Sequence, residues 1–542
     1  MIVSARRFRS SIVSKLVPAV LLVVLGDWMF YQRSLFGGYI GLYGLALIAG
    51  LIAGHAGVRR ERRAWLAVAA ALIFAGALVY DPSLLGWTLF WTAMSLAALL
   101  PRTIGFDDGW RWFQRLGWHA LRSPFGPLID FRHALKVRRR RPRPEVRQPL
   151  TPLLALPALG SLAFFALFVA ANPLLARMVF SIRLPSLGEF DILRPILWTA
   201  LLALAWSMLR PRLASRLLPT FDGRGDLPLP GVSVASVTLS LVAFNLVFAL
   251  QNVMDIVYLW GRARLPGDIT MADYAHRGAY PLIATALLAA LFVLVTLRPG
   301  SATAQTPAIR GLVLLWVAQN IFLVASSIER MMDYVGSYSL TGLRIVVLGW
   351  MWLVAFGLAA ICWRMLTDKS ASWLINVNLG AAGILLTIAS FADLTAIAAQ
   401  WNVRHAREAG GTAVNLDLCY LYYSGSSALL PLLELERRPD LTPRFREKVQ
   451  GVRSDLYAGL MRELGSGQWS IHRQRMFEQA QRELAEMNPA PLPDGPRDCD
   501  GDLIGHREAP PQPIMMTPAP TAPAVPRAAS PASTSAPAPA LR

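Results

Sequence analysis

A charged or amide side chain inside a long apolar run is costly, about 2.5–3.5 kcal/mol for an acid at the centre of a membrane helix, so each one needs a reason. In this chain such groups are Asp27, Asn172, Asn252, Asp255, His276, Arg277, Glu329, Arg344, Asp393 and Asn402. Asn245, Asn252 and Asp255 form a rough stripe, because seven residues return a helix to within about 20° of its starting direction. His276 with Asp273 and Glu329 has the residue types of an acid–base pair or a metal ligand set, although a lone histidine at a helix start more often caps or packs. For Asp255 the expected counter-ion is Arg277 or Arg344, since an unpaired buried carboxylate takes up a proton instead.

Other chemistry finds little support. The sequence has no G-x-x-x-x-G-K-[ST], no H-E-x-x-H and no C-x-x-C, so nucleotide, zincin and structural-zinc readings lack their basis. Asp498, Asp500 and Asp502 alternate like a calcium loop, but Leu503 replaces the sixth-position glycine and Ala509 the acid at position twelve. No metal and no cofactor is expected. Cys419 and Cys499 share one segment and form a candidate disulfide, whose test is whether their Cα atoms come within about 7 Å.

The elements that must position these groups are membrane helices. Of 542 residues, 54% are hydrophobic and only 16% charged, with a mean hydropathy of +0.42. A soluble chain carries roughly a quarter charged residues, so a large soluble enzyme is excluded. Apolar runs of the length a bilayer demands, about 20 residues, lie near 13–31, 35–54, 64–80, 83–100, 151–174, 191–209, 233–260, 279–297, 309–329, 343–366 and 374–396. The expected fold is all-α: a polytopic bundle of about eleven spans, a small helical extramembrane C-terminal domain and a disordered Pro/Ala-rich tail. The organisation reads as four spans in 1–100, a basic loop over 101–150, seven spans in 151–396, a helical domain over 397–510 and the tail over 511–542. In the helical domain, Thr442-Pro443 opens one helix and 468–487 forms another.

Orientation follows from arginine. The net charge of +19 is concentrated at the N-terminus (Arg6, Arg7, Arg9, Lys15), after the second run (Arg59, Arg60, Arg62, Arg63), between Arg102 and Arg147, and again over Arg210–Arg224. The alternate loops are poorer in cations. The positive-inside rule then places the N-terminus in the cytoplasm of a bacterial inner membrane and, after eleven crossings, the C-terminus outside. The polar interruptions collect at the outer ends of seven spans, as a site or as a dock for the C-terminal domain.

Within the basic loop, a helix over 110–122 brings Arg111, Arg115 and Arg122 within about 40° of one another at 100° per residue, with Trp110, Phe113, Leu116, Ala120 and Leu121 mostly opposite. Such a helix lies in the membrane interface. The following run, with Arg138, Arg139, Arg140 and Arg141, suits anionic lipid headgroups. No aromatic residue is interleaved in that run, which argues against a nucleic-acid partner; topology enforcement alone accounts for the arginines equally well.

Several of these residues carry a resemblance. The stretch Asn252-Val253-Met254-Asp255-Ile256-Val257-Tyr258-Leu259-Trp260, then Leu265-Pro266-Gly267 and Tyr274-Ala275-His276-Arg277-Gly278-Ala279-Tyr280-Pro281, resembles the signature of the domain-of-unknown-function 4173 family of bacterial multi-pass membrane proteins. Asp27-Trp28, Ala171-Asn172-Pro173, Leu340-Thr341-Gly342-Leu343-Arg344 and Leu416-Asp417-Leu418 resemble it as well. The resemblance implies an integral membrane protein and supplies no reaction.

Three function classes fit. The first is an envelope sensor, scaffold or partner-binding protein with a polar outer face, not an enzyme. The second is a transporter of a small solute, drawing on the Asn245–Asn252–Asp255 stripe, although matching Gly/Pro-broken spans are not evident. The third is a membrane-embedded transferase or hydrolase acting on a lipid-linked envelope substrate, with Asp27, Asp255 and His276 as acids and bases.

Overall fold

The architecture was obtained as a computed structural model, which describes residues 2–31, 37–103, 108–139, 193–214, 217–218, 233–261, 301–411, 414–489 and 491–504, with isolated positions 161, 285, 288 and 292. Among the described residues the chain is all-helical and has no strand. Six helices are long and apolar enough to cross a membrane, by length and composition, and the protein is membrane-embedded on that ground. The expected spans at 151–174 and 279–297, most of the run 138–147 and the tail 511–542 lie outside the described residues or outside the side chains described.

The first group comprises α1 (Ile2–Phe30), α2 (Tyr39–Gly54), α3 (Arg62–Tyr80) and α4 (Leu84–Leu99). Asp81-Pro82-Ser83 folds α3 and α4 into a tight hairpin, with the Ser83 hydroxyl accepting from the Gly86 N–H as N-cap. Two amphipathic helices follow, α5 (Gly109–Arg122) and α6 (Gly126–Arg139). Next along the described chain is α7 (Leu193–Leu209). Chain order puts α7 with the second group of spans, yet it buries Leu201, Ala205 and Met208 in the core built by α1–α4.

A second core is formed by α8 (Val234–Asp255), α9 (Pro307–Tyr338), α10 (Gly342–Leu366) and α11 (Ala371–Phe391). The lipid-facing side of α8 leaves Leu239, Leu246, Val247 and Leu250 exposed, as expected where hydrocarbon replaces water. The groups are joined at one end by α5, whose first N–H (Gly109) donates to Asn376 Oδ1 of α11 at 2.7 Å.

A third core belongs to the C-terminal helical unit: α12 (Leu394–His405), α13 (Leu418–Tyr423), α14 (Leu429–Glu436), α15 (Pro443–Gly465) and α16 (Ile471–Met487). Thr442 caps α15 and Pro443 occupies its first turn. Buried Arg453 donates to Glu436 at 2.9 Å. Cys419 and Cys499 are disulfide-bonded with Cα atoms 4.6 Å apart. Lys448–Asp502 (2.6 Å) and Arg497–Glu447 (3.0 Å) hold the same terminal segment on α15, so Asp502 is engaged by a lysine, while Asp498 Oδ1 accepts the Asp500 and Asp502 N–H groups in a local turn.

Candidate functional site: a buried polar seam and a docking junction

Helices α8 and α9 meet along a polar seam. Asn245 Nδ2 donates to the Leu312 carbonyl at 3.0 Å and Asn252 Nδ2 to the Gln319 carbonyl at 3.3 Å; Gln319 Nε2 returns a bond to Asn245 Oδ1 at 2.8 Å. Both donations to carbonyls span 67 residues, a constant offset that only parallel helices can keep. At the end of the seam Asp255, with no exposed surface, is paired with the equally enclosed Arg330 of α9. Gln251, one turn earlier, donates to the same carboxylate oxygen at 2.9 Å.

After Asp255 the helix widens into one π-helical turn, Ile256–Trp260, closed by the Gly261 N–H on the Ile256 carbonyl at 2.8 Å. Such i→i+5 turns are rare and recur at functional positions. Here the wide turn swings Trp260 back toward α9, where its indole N–H donates to Ser326 Oγ at 3.1 Å. The counter-ion of Asp255 is therefore Arg330, instead of the expected Arg344; Arg277 and His276, like Asn172, lie outside the described residues. Arg330 shares a helix face with Trp316, Asn320, Leu323 and Ser327, all buried, and that spacing was available in the sequence.

The other expected residues are engaged elsewhere. Asp27 accepts from Arg194 at 2.7 Å and from the Trp198 indole at 2.8 Å, pinning α1 to α7. Arg344 donates to the Tyr338 carbonyl at 2.7 Å and to the Ser339 carbonyl, and its guanidinium lies 4.4 Å from the Tyr334 ring centre. Asn402 bridges the Leu340 backbone with both amide atoms, at 2.6 and 2.8 Å. Glu329 is half-buried beside Arg330. Among the described residues these groups make separate pairs, each with its own partner.

One of these pairs opens a second site, whose partner His472 sequence reasoning missed. Asp393 caps α12 through the Ala396 N–H at 2.8 Å and faces His472 Nε2 of α16 at 3.5 Å. Around it the turn before α16 docks on the first group of helices. The Gly38 N–H donates to the Trp469 carbonyl at 2.5 Å, Tyr39 packs on Trp469 with ring centres 5.9 Å apart, and Tyr80 on His472 at 5.4 Å. A Cβ at Gly38 would fall 2.8 Å from the Val79 carbonyl oxygen and 3.2 Å from that of Trp469, so this approach requires glycine. The Asp393 carboxylate, 3.5 Å away, holds the His472 imidazole above its ordinary value against burial, helped by the charge of Asp81 and opposed by Arg473. Burial pushes Asp393 up, but His472, the Ala396 N–H and Ser427 outweigh it and leave the carboxyl below its usual range. Burial raises Asp81, with His472 and Arg473 acting the other way.

Seam and junction differ in one further respect, seen by comparison with known proteins. The family Domain of unknown function (DUF4153) matches residues 67–435. The chain belongs to this family. The match contains the whole seam and Asp393, whereas His472, Trp469 and Cys499 follow it in the chain. Membership is thus of DUF4153, and the narrower 4173 assignment does not emerge from the match. No curated protein matches this DUF4153 chain, and no solved structure does.

Proposed function

We propose that this DUF4153 protein is an inner-membrane envelope scaffold or sensor, with its N-terminus in the cytoplasm and its C-terminal helical unit docked on the extracytoplasmic ends of the membrane helices. The observation that carries this reading is the junction itself: a disulfide-bonded unit seated by Trp469 and His472 on loops of both helix groups. Disulfides persist in oxidising compartments, in agreement with the arginine asymmetry. At the opposite end, α5 and α6 leave Phe113, Leu121, Phe125 and Phe131 exposed, with Arg115 and Arg122 stacked on Trp112 and Trp118 at 5.0 and 5.3 Å and Arg111 beside Asp108 at 3.5 Å. That surface suits the membrane interface and anionic headgroups. The free outer surface of the C-terminal unit is where an envelope protein partner binds.

The reading is tested by fusing alkaline phosphatase after Asn402 and within 136–147. Activity from the first fusion only supports it, and the reverse pattern overturns it. A transporter reading draws on three buried amide oxygens in the seam, on Asn252, Gln319 and Asn320, with no hydrogen-bond partner among the described residues. The seam is nonetheless closed by bonds between its own helices, which favours packing over passage. An enzyme would need Asp255 as a base, and that carboxylate is already engaged by Arg330 and Gln251.

A further inference from the structure

The end of the bundle opposite the junction gathers cations from three separate elements. Lys15, midway along α1, is within electrostatic reach of Arg102, Arg210 and Asp130. Arg102, just past α4, lies in the field of Arg210 and Arg212, the pair that follows α7, and donates to the Pro211 carbonyl. Arg210 and Arg212 share one carboxylate, Asp130 of α6, at 3.5 and 2.9 Å, and the Trp206 indole donates to its Oδ2 at 2.9 Å. Lys15 and Arg102, by contrast, have no carboxylate in ion-pair contact among the described residues.

Two buried histidines report the same imbalance. Burial, with Lys15, Arg102 and Arg59 nearby, pushes His55 down to about 4; burial, with Arg102, does the same to His119. His55 Nδ1 has no hydrogen-bond partner among the described residues. Both rings are neutral at physiological pH, through burial first and the nearby positive charges second. Topology enforcement needs cations in a loop; it does not need them drawn from separate elements onto one spot. Phe125, just before α6, and Leu128 and Phe131 on α6 stand exposed, an apolar wall on the helix that carries Asp130.

We propose that Lys15, Arg102, Arg210 and Arg212 form a seat for the phosphate headgroup of an anionic phospholipid, with its acyl chains along the exposed face of α6. The phosphate supplies the negative charge that Asp130 alone does not, and the aromatic wall gives the chains a surface that a free anion would not use. The seat rests on the membrane reading but not on which side the C-terminus lies, so the topology fusions and the lipid test fail independently.

The test uses the full chain, purified in detergent and delipidated, with phosphatidylglycerol, phosphatidylcholine or inorganic phosphate added back. Native mass spectrometry counts retained lipid, and a thermal-shift assay follows stability. Wild type is expected to retain phosphatidylglycerol in preference to phosphatidylcholine and to be stabilised by it, with little response to inorganic phosphate. Lys15→Gln/Arg102→Gln leaves both Asp130 ion pairs in place and should weaken retention roughly thirtyfold, at about fivefold per cation near the surface. Arg60→Gln/Arg63→Gln removes equal charge from exposed positions elsewhere and should change it little. Equal loss in both double variants overturns the seat in favour of diffuse surface charge. Equal retention of both lipids by wild type overturns it without any variant, and stabilisation by phosphate matching that by lipid overturns the lipid as occupant.

Discussion

The seam between α8 and α9 and the junction between α16 and the membrane helices use similar chemistry for different ends. Each sets a carboxylate against a cation across two elements: Asp255 with Arg330 in one case, Asp393 with His472 in the other. In the seam both groups are enclosed and the cation is a guanidinium, which stays charged at any physiological pH. At the junction both groups retain some exposure and the cation is an imidazole, which titrates there. A permanent pair in a dry interface fixes register, whereas a titratable pair at a boundary lets one body be released from another. This difference predicts a pH-dependent junction and a pH-independent seam.

The largest effect should come from breaking the seam. Arg330→Met leaves the Asp255 charge buried and uncompensated, a loss of about 3–5 kcal/mol, seen as loss of folded protein after detergent extraction. Adding Asp255→Asn removes the second charge and should recover much of that loss. If the double variant is as unstable as the single, the pair does more than satisfy itself and the seam has a further role. Next in size is the disulfide: Cys419→Ser should cost about 2–5 kcal/mol in the C-terminal unit, read by limited proteolysis of membranes. Maleimide should label neither Cys419 nor Cys499 before reduction.

The sequence exposed one half of each site. Asn245, Asn252 and Asp255 stand out on α8 because polar residues in an apolar run are visible at once. Their partner was hidden for two reasons. It depends on which helix packs against α8, which no local pattern states, and Arg330 sits next to Glu329 at the end of the apolar run, where a charge needs no special account. The buried series Asn320, Ser327 and Arg330 on one face of α9 was the available signal. Asp393 was likewise visible, but His472 was not, since a histidine in a polar region interrupts nothing. The amphipathic character of α5 and the start of α15 were legible because periodicity and capping are local. The grouping of α7 with α1–α4 was not, because chain order carries no information about which core a membrane helix joins.

A smaller effect sharpens the titratable half of the comparison. The folded pKa of His472 lies above 6.5, so its contribution to docking is complete below about pH 6.5 and is lost as pH rises through the raised value. Asp393 lies below 3.8, so its contribution is present above that pH and is lost as pH falls through the depressed value. Burial raises Asp81, so its contribution is complete below the ordinary carboxylate range and is lost as pH rises through the raised value. Arg473 opposes the charged form of His472. Docking should therefore be tightest between about pH 4 and 6.5 and loosen on the alkaline side, a dependence that His472→Gln should remove. Hydrogen–deuterium exchange of the 466–472 turn reads it directly. A turn equally protected at pH 6 and 9 in the wild type would show that the aromatic contacts suffice.

The smallest effect is expected at Asp27. Arg194 is 41% exposed and stacks 4.2 Å from the Tyr31 ring centre, so Asp27→Asn leaves it hydrated and supported. The variant should express and unfold close to wild type, in contrast to Arg330→Met.

The proposed function requires the C-terminal unit to be seated on the membrane helices in the native bilayer. Replacing Trp469 with the photoreactive analogue benzoyl-phenylalanine keeps an aromatic ring at the contact, and irradiation of intact membranes followed by peptide mass spectrometry identifies its neighbours. Crosslinks from position 469 to residues 37–39 or 79–81 are the predicted result. Crosslinks confined to residues 394–504, with none to the first helix group, would contradict the docking on which the proposed function depends.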